Sequence, residues 1–213
     1  MELTISDFMR QARESLSGRW GLVIGALAIY ILVALPLALF GMIPCIGIPI
    51  VIAVSGSLML GISAFYLAIA RNEEAEMVMF LEGFRNLLRS VGLYILYAIA
   101  VTIGLALLII PGVLLMLYLA FIWFILADEP KSDIIDVMIK SAAMTDGYKM
   151  KLFILYLIFL GLTILSALTL FIGLFWVIPF IYTTWAKIYE DAKANYKQKQ
   201  SALIAEEQKR FSW

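Results

Sequence analysis

The densest run of groups able to do chemistry is acidic: Asp128, Glu129, Asp133 and Asp136 fall within nine residues. Paired carboxylates can work as general acid and base, or hold a divalent cation. Nothing that usually completes such a site stands beside them. The chain has no histidine and a single cysteine, Cys45, which excludes an intrachain disulfide and a His/Cys metal cluster. No activated nucleophile or phosphate-binding loop accompanies the acids. Asp128-Glu129-Pro130 also has the form of one helix ending before the next begins. The expectation is therefore no catalytic residue, no cofactor and no metal, with a membrane enzyme using these carboxylates as an alternative.

The elements around this run are set by charge. The chain carries 16 basic and 16 acidic residues, and Trp20–Ala70, Ser90–Ala127 and Leu152–Ala186 contain none of them. Hydrophobic residues make up 63% of the 213, where a soluble domain is nearer half apolar. The reading is an integral membrane protein of helical class. Zero net charge and the lack of any nucleic-acid motif give no reason to expect a nucleic-acid partner.

A span needs about 20 apolar residues, so Trp20–Ala70 suits two. Read as hairpins, all three stretches leave every Lys and Arg on one side, as the positive-inside rule favours. The breaks agree: Gly41, Pro44, Gly47 and Pro49 in the first stretch, Pro111-Gly112 in the second, Gly173 in the third. Proline removes a donor and glycine relaxes the backbone, and a hairpin tip at the far interface tolerates both. Six transmembrane helices follow, at about 20–41, 49–70, 90–110, 112–128, 152–171 and 174–189. Span four is short and is expected to extend past Asp128 or thin the bilayer. Trp20, Phe65-Tyr66, Trp123-Phe124, Trp185 and Tyr189 gather at the charged side as an interfacial belt, with Trp176 at the other.

The stretches have a common preface. Ser17-Gly18-Arg19-Trp20, Glu82-Gly83-Phe84-Arg85 and Asp146-Gly147-Tyr148-Lys149 each join a glycine, an aromatic and a base, with glycines 65 and 64 residues apart. A fixed period points to a repeated unit, here about 1–71, 72–130 and 131–190, within a single bundle over 1–190. Each unit opens with an amphipathic interfacial helix: Ile5, Phe8, Met9, Ala12, Leu16; then Met77, Phe80, Leu81, Phe84, Leu88; then Ile135, Met138, Ile139, Ala142, with Ser132 or Asp133 as N-cap. Such helices either bind anionic lipid or only cap the bundle, and their mixed charge favours capping. The start does not read as a signal peptide. Residues 191–213 read as a cytoplasmic tail, mobile or continuing the last helix.

The apolar stretches contain no Asp, Glu, Lys, Arg or His, which argues against a pump, a proton-coupled transporter or a voltage sensor. Tyr30, Ser55, Ser57, Tyr97, Thr102, Thr163 and Ser166 would line a neutral path or, on the favoured reading, bond neighbouring helices and backbone. Gly21/Gly25 and Ser57/Gly61 suit close packing within the bundle, or a dimer face. Pro36 and Pro179 should kink their helices. A site would lie on the charged face or in a neutral pocket beside these prolines.

Gly18-Arg19-Trp20-Gly21 after an amphipathic start resembles the opening of the domain-of-unknown-function 975 family. Further along, Ile110-Pro111-Gly112, Tyr118, Leu126-Ala127-Asp128-Glu129-Pro130, Ser141, Met144, Gly147, Lys149, Lys151 and Phe153 resemble the pattern of that family's second half. The closing run Gly173-Leu174-Phe175-Trp176, Pro179, Thr184 and Tyr189 is similar too. The resemblance implies a bacterial multi-pass inner-membrane protein of about six spans, with no activity, cofactor or substrate attached. Candidate functional or structural positions are Gly18, Trp20, Pro36, Gly83, Pro111, Gly112, Asp128, Ser141, Gly147, Pro179 and Tyr189. The expected role is a non-enzymatic scaffold, lipid-interacting or envelope-associated accessory factor with both termini cytoplasmic. Expected partners are membrane lipids, a further protein or a second copy. The alternative is a passive transporter or channel for a neutral or lipidic solute.

Overall fold

The computed structural model describes residues 3–43, 46–169 and 172–211, and every side chain among them except those of Ile109 and Phe211. Pro44, Cys45 and the last two residues of the tail therefore lie outside the description. Ten helices and no strand occur among the described residues. They are α1 (Ile5–Leu16), α2 (Trp20–Phe40), α3 (Gly47–Arg71), α4 (Met79–Arg85), α5 (Leu87–Leu107), α6 (Ile109–Tyr118), α7 (Ile122–Asp128), α8 (Ile134–Thr145), α9 (Lys149–Leu168) and α10 (Leu174–Phe211).

Local chemistry sets their ends. α1 opens on a capping box: the Asp7 amide donates to the Thr4 hydroxyl and the Thr4 amide to the Asp7 carboxylate, satisfying donors a helix start leaves over. Asp133, rather than Ser132, caps α8 by accepting from the Ile135 amide at 3.3 Å. Gly18 at φ +78° and Gly147 at φ +90° turn the chain out of α1 and α8, a conformation that costs glycine little. Gly83 does not share that role. It lies inside α4, where an added Cβ would come 1.8 Å from the Ser57 carbonyl oxygen, so its smallness serves close packing of α4 on α3 and the predicted turn is absent.

The second break also differs from expectation. The chain interrupts at the extended residue Leu108, and Pro111 falls in the first turn of α6, where a missing N–H breaks no helical bond. Gly112 acts by contact: a Cβ there would sit 2.8 Å from the Leu105 amide nitrogen on α5. The fourth apolar stretch is also interrupted at 119–121, between α6 and α7.

Five helical stretches are long and apolar enough to cross a membrane: Trp20–Phe40, Gly47–Arg71, Leu87–Leu107, Ile110–Asp128 and Lys149–Leu168. The sixth predicted span is the first part of α10, which runs unbroken for 38 residues through Pro179 and on to Phe211. Residues 191–196 of the predicted tail are thus helical and packed, with Ala192 fully buried and Tyr196 against the core.

α3 is the hub, packed against α1, α2, α4, α5, α7 and α10. α10 closes the other side against α1, α2, α3, α8 and α9. The buried core gathers where the charged residues are, around Phe8, Leu16, Phe65, Phe121, Ile125, Met144, Leu152 and Tyr189. The opposite halves of α2, α5, α6 and α9 display Leu35, Leu39, Leu107, Ile110, Ile164 and Leu168. The predicted aromatic belt divides accordingly. Trp20, Trp123 and Trp185 stay partly exposed, whereas Phe65, Tyr66, Phe124 and Tyr189 are core. Their rings pack inward because helices meet them on every side.

Candidate functional site

At the charged end, ionic and polar bonds join the helices in one layer. Arg71, the last residue of α3, donates through Nη2 to Asp128 Oδ1 at 2.9 Å and to Glu190 Oε1 at 2.7 Å. Its Nε adds a 3.0 Å bond to Glu190. The other Asp128 oxygen accepts from the Tyr189 hydroxyl at 2.9 Å and from the Lys193 ammonium. The Tyr189 ring stacks on Phe124, with centroids 5.5 Å apart. Asp128 thus holds α3, α7 and α10 together, its side chain only 11% exposed. Charge-assisted bonds of this kind are among the stronger ones.

The same layer reaches the remaining apolar helices. Arg19, before α2, donates to the Glu73 and Asn72 carbonyls after α3, at 3.0 and 3.3 Å. Arg89, in the first turn of α5, donates to the Pro130 carbonyl at 3.1 Å. Tyr148, before α9, donates to Asp191 on α10 at 2.5 Å, and Asn195 donates to Tyr148 in turn.

The four clustered acids do not converge. Asp128 belongs to the layer, Glu129 pairs with Lys140 at 2.5 Å and accepts from Ser132, Asp133 caps α8, and Asp136 is exposed. Among the described residues no three metal-ligating side chains come together. Asp146 is exposed, and the bond from Lys149 holds its carboxyl below the usual range.

Ser141 has a definite task. Its hydroxyl donates to the Tyr118 carbonyl at 2.8 Å and accepts from the Phe121 amide at 3.2 Å. These are groups freed by the interruption between α6 and α7, which would otherwise be buried unpaired. Ser57 meets Ser90 at 3.2 Å, a fully buried contact between α3 and α5. Ser57, Thr163 and Ser166 also donate to carbonyls four residues back in their own helices, as the packing reading requires. Ser57 and Gly61 face α4 and α5, not a second copy; a Cβ on Gly61 would fall 2.5 Å from the Phe80 carbonyl oxygen.

Of the other candidates, Trp20 joins the core cluster around Leu16 and Phe65. Pro179 is buried within α10 and its carbonyl accepts from Thr183 at 2.8 Å. Pro36 is exposed in α2 and borders neither of the two recesses described below. Reading the sequence missed Arg71, Glu190 and Lys193. Their signal was available: Arg71 and Asp128 are the charges that end two apolar runs, and opposite charges stranded at one depth should pair.

Two recesses flank the layer. A cavity of about 410 Å³ at the charged rim is bordered by Leu60, Ala64, Leu126 and Ala127 with Glu82, Arg85, Asn86 and Pro130. Deeper in the apolar zone, a cleft of about 220 Å³ lies between α2, α3, α4 and α10. Its walls are aliphatic apart from Phe80 and three tyrosines, Tyr30, Tyr66 and Tyr182.

A bundle with an apolar outer surface and its polar bonds drawn into one end layer is a helical membrane protein. Residues 94–196 match the family described as Protein of unknown function (DUF975), the family that the sequence resembles. The matched segment runs from α5 to the point where α10 leaves the core. Comparison with curated proteins and with solved structures finds no match. Met144 and Thr184, both in the family-like pattern, are buried, and Tyr118, Asp128, Ser141 and Tyr189 bond across helices.

Proposed function

We propose that this is a bacterial inner-membrane protein with six spans in three hairpins and both termini cytoplasmic. It acts as a non-enzymatic scaffold or lipid-interacting accessory factor whose charged face makes the contacts. The observation that carries the topology is the charged layer. It ties the start of α2, the end of α3, the start of α5, the end of α7, the start of α9 and the middle of α10 at one level. Six segments leaving one layer and returning to it are three hairpins. The part of α10 from Leu174 to Tyr189 then covers about 24 Å at 1.5 Å per residue, enough for a short span. In a Cys45→Ser background, a cysteine near Gly173 should react with an impermeant thiol reagent from outside the cell. One near Lys140 should react only after permeabilisation, and the reverse pattern sinks the topology.

The contact surface is supported by exposed apolar side chains on α4 and α8. The buried face of α8 is Val137, Ser141, Met144 and Thr145, which leaves Ile135 and Ile139 outside. On α4 and just after it, Leu81, Phe84 and Leu88 are exposed. α1 differs: Phe8, Ala12 and Leu16 are fully buried, so it caps the bundle. Changing Leu81, Leu88, Ile135 and Ile139 together to glutamine should strip co-purifying lipid or partner without unfolding the bundle. Unchanged co-purification rejects the role. The Tyr-lined cleft favours a second reading, passive passage of a lipidic solute, which reconstitution into proteoliposomes and a flux assay would test.

A further inference from the structure

We propose that the cleft between α2, α3 and α10 binds one ester-linked acyl chain of a membrane glycerolipid. The ester carbonyl, which has two lone pairs, accepts hydrogen bonds from the hydroxyls of the stacked Tyr66 and Tyr182; Tyr30 borders the same cleft. This rests on the topology above, which places all three helices in the bilayer.

Three features point to this ligand. The first is unspent hydrogen-bonding capacity. Tyr66 is 97% buried and its ring stacks on Tyr182, with centroids 5.1 Å apart and planes 11° from parallel. Neither hydroxyl, nor that of Tyr30, has a hydrogen-bond partner among the described residues, although every fully buried polar side-chain atom among those residues is satisfied. These phenols therefore open into the cleft. A donor held in an apolar wall is costly unless something accepts from it.

The second is depth. Tyr66 precedes Arg71 by five residues and Tyr182 precedes Lys187 by five, about 7.5 Å of helix in each case. Tyr30 lies ten residues beyond Trp20, about 15 Å. Tyr66 and Tyr182 thus root in the turns just below the charged layer, near the level where headgroup gives way to chain, and Tyr30 roots deeper, at chain level.

The third is the charge and shape of the walls. No ionised side chain lines the cleft, so a free fatty-acid carboxylate would be buried without a counter-ion, whereas an ester is neutral and accepts only. Ala26, Leu27, Ile31, Ile62 and Ile178 form the remaining apolar wall. The volume equals roughly seven water molecules at ~30 Å³ each, room for the head of a chain and not for a folded metabolite.

The test uses the full-length protein in phosphatidylethanolamine/phosphatidylglycerol vesicles doped with a phosphatidylcholine whose acyl chain carries a diazirine near the ester. Photolysis should label peptides containing Tyr30 and Tyr182 at least fivefold above peptides from the outer face of α9. Ile31→Phe, which fills the cleft, should remove that excess. The double variant Tyr66→Phe, Tyr182→Phe keeps the volume and should lose most of it. An ether-linked competitor without the carbonyl should displace label less well than its ester counterpart. Even labelling of α2, α9 and α10, unchanged by these variants, overturns the site while leaving the spans intact. No label on the outer faces of α2 and α9 overturns the topology, and the site with it. Circular dichroism of each variant confirms that the bundle is folded.

Discussion

The two ends of this bundle are built on opposite rules. At the charged end, helices converge on a filled core and their polar groups bond one another across five or more chain crossings. At the uncharged end, the same helices show leucine and isoleucine outward; Leu32 is 72% exposed and Leu168 77%. A soluble protein could not tolerate that second end. In a bilayer, leucine against lipid costs nothing, and helix association there depends on close packing and polar bonds. Specificity of assembly is therefore concentrated in the charged layer and in a few small residues, such as Gly83 and Gly112.

This contrast can be broken most strongly at Asp128. Asp128→Ala strands Lys193 and Tyr189 and leaves Arg71 with Glu190 alone, and should cost about 3–5 kcal/mol, as for a buried ion pair that loses one partner. A fall in the thermal midpoint in detergent, with altered proteolysis after α7, is the readout. Gly83→Val should follow, at about 3 kcal/mol, because overpacking here meets the Ser57 backbone and not a movable side chain. Ser141→Ala leaves the Tyr118 carbonyl and Phe121 amide unpaired, with an expected loss of about 1–3 kcal/mol; hydrogen exchange at Phe121 would report it directly. At the other end, Leu32→Ala should change stability by less than about 0.5 kcal/mol. A loss as large as that of Ser141→Ala would erase the distinction between the ends.

The smallest effect is a pH dependence of α1. Hydrogen bonds between Thr4 and Asp7, side chain first and backbone second, lower the Asp7 pKa from its ordinary 3.8. A depressed folded pKa means the capping contribution is complete above the unfolded value and disappears as pH falls through the folded one. Protection of the α1 amides, measured against their intrinsic exchange rate at each pH, should fall below about pH 4, and Asp7→Asn should flatten that response.

Much of the fold was readable because charge placement in a membrane protein is close to a map of helix ends. The span expected at 20–41 is α2 at Trp20–Phe40, and that at 49–70 is α3 at Gly47–Arg71. The errors come from contacts between distant segments. Pro111 looked like a break because proline usually is one, yet at the third position of α6 it breaks nothing. Gly83 fell into a turn motif by spacing, while its true constraint is Ser57, 26 residues earlier. Of the candidate positions, Asp128, Ser141 and Tyr189 proved to bond across helices. Arg71 could have been paired with Asp128 from the ends of the two apolar runs, whereas Lys193 and Tyr118 could not be placed, because nothing local sets their distances. The tyrosine cleft was hidden for the same reason: it takes one phenol from each of three helices.

The continuity of α10 has a mechanical consequence. Thirty-eight residues without interruption make a rod about 57 Å long, held near its middle where Glu190 and Lys193 join Arg71 and Asp128. Residues 197–210 of the arm beyond Tyr196 are exposed. A rod pinned at a fulcrum converts tilt on one side into displacement on the other. On the proposed topology, a change in bilayer thickness that tilts Leu174–Tyr189 swings the outer arm, giving the charged face a moving part whose position reports the membrane.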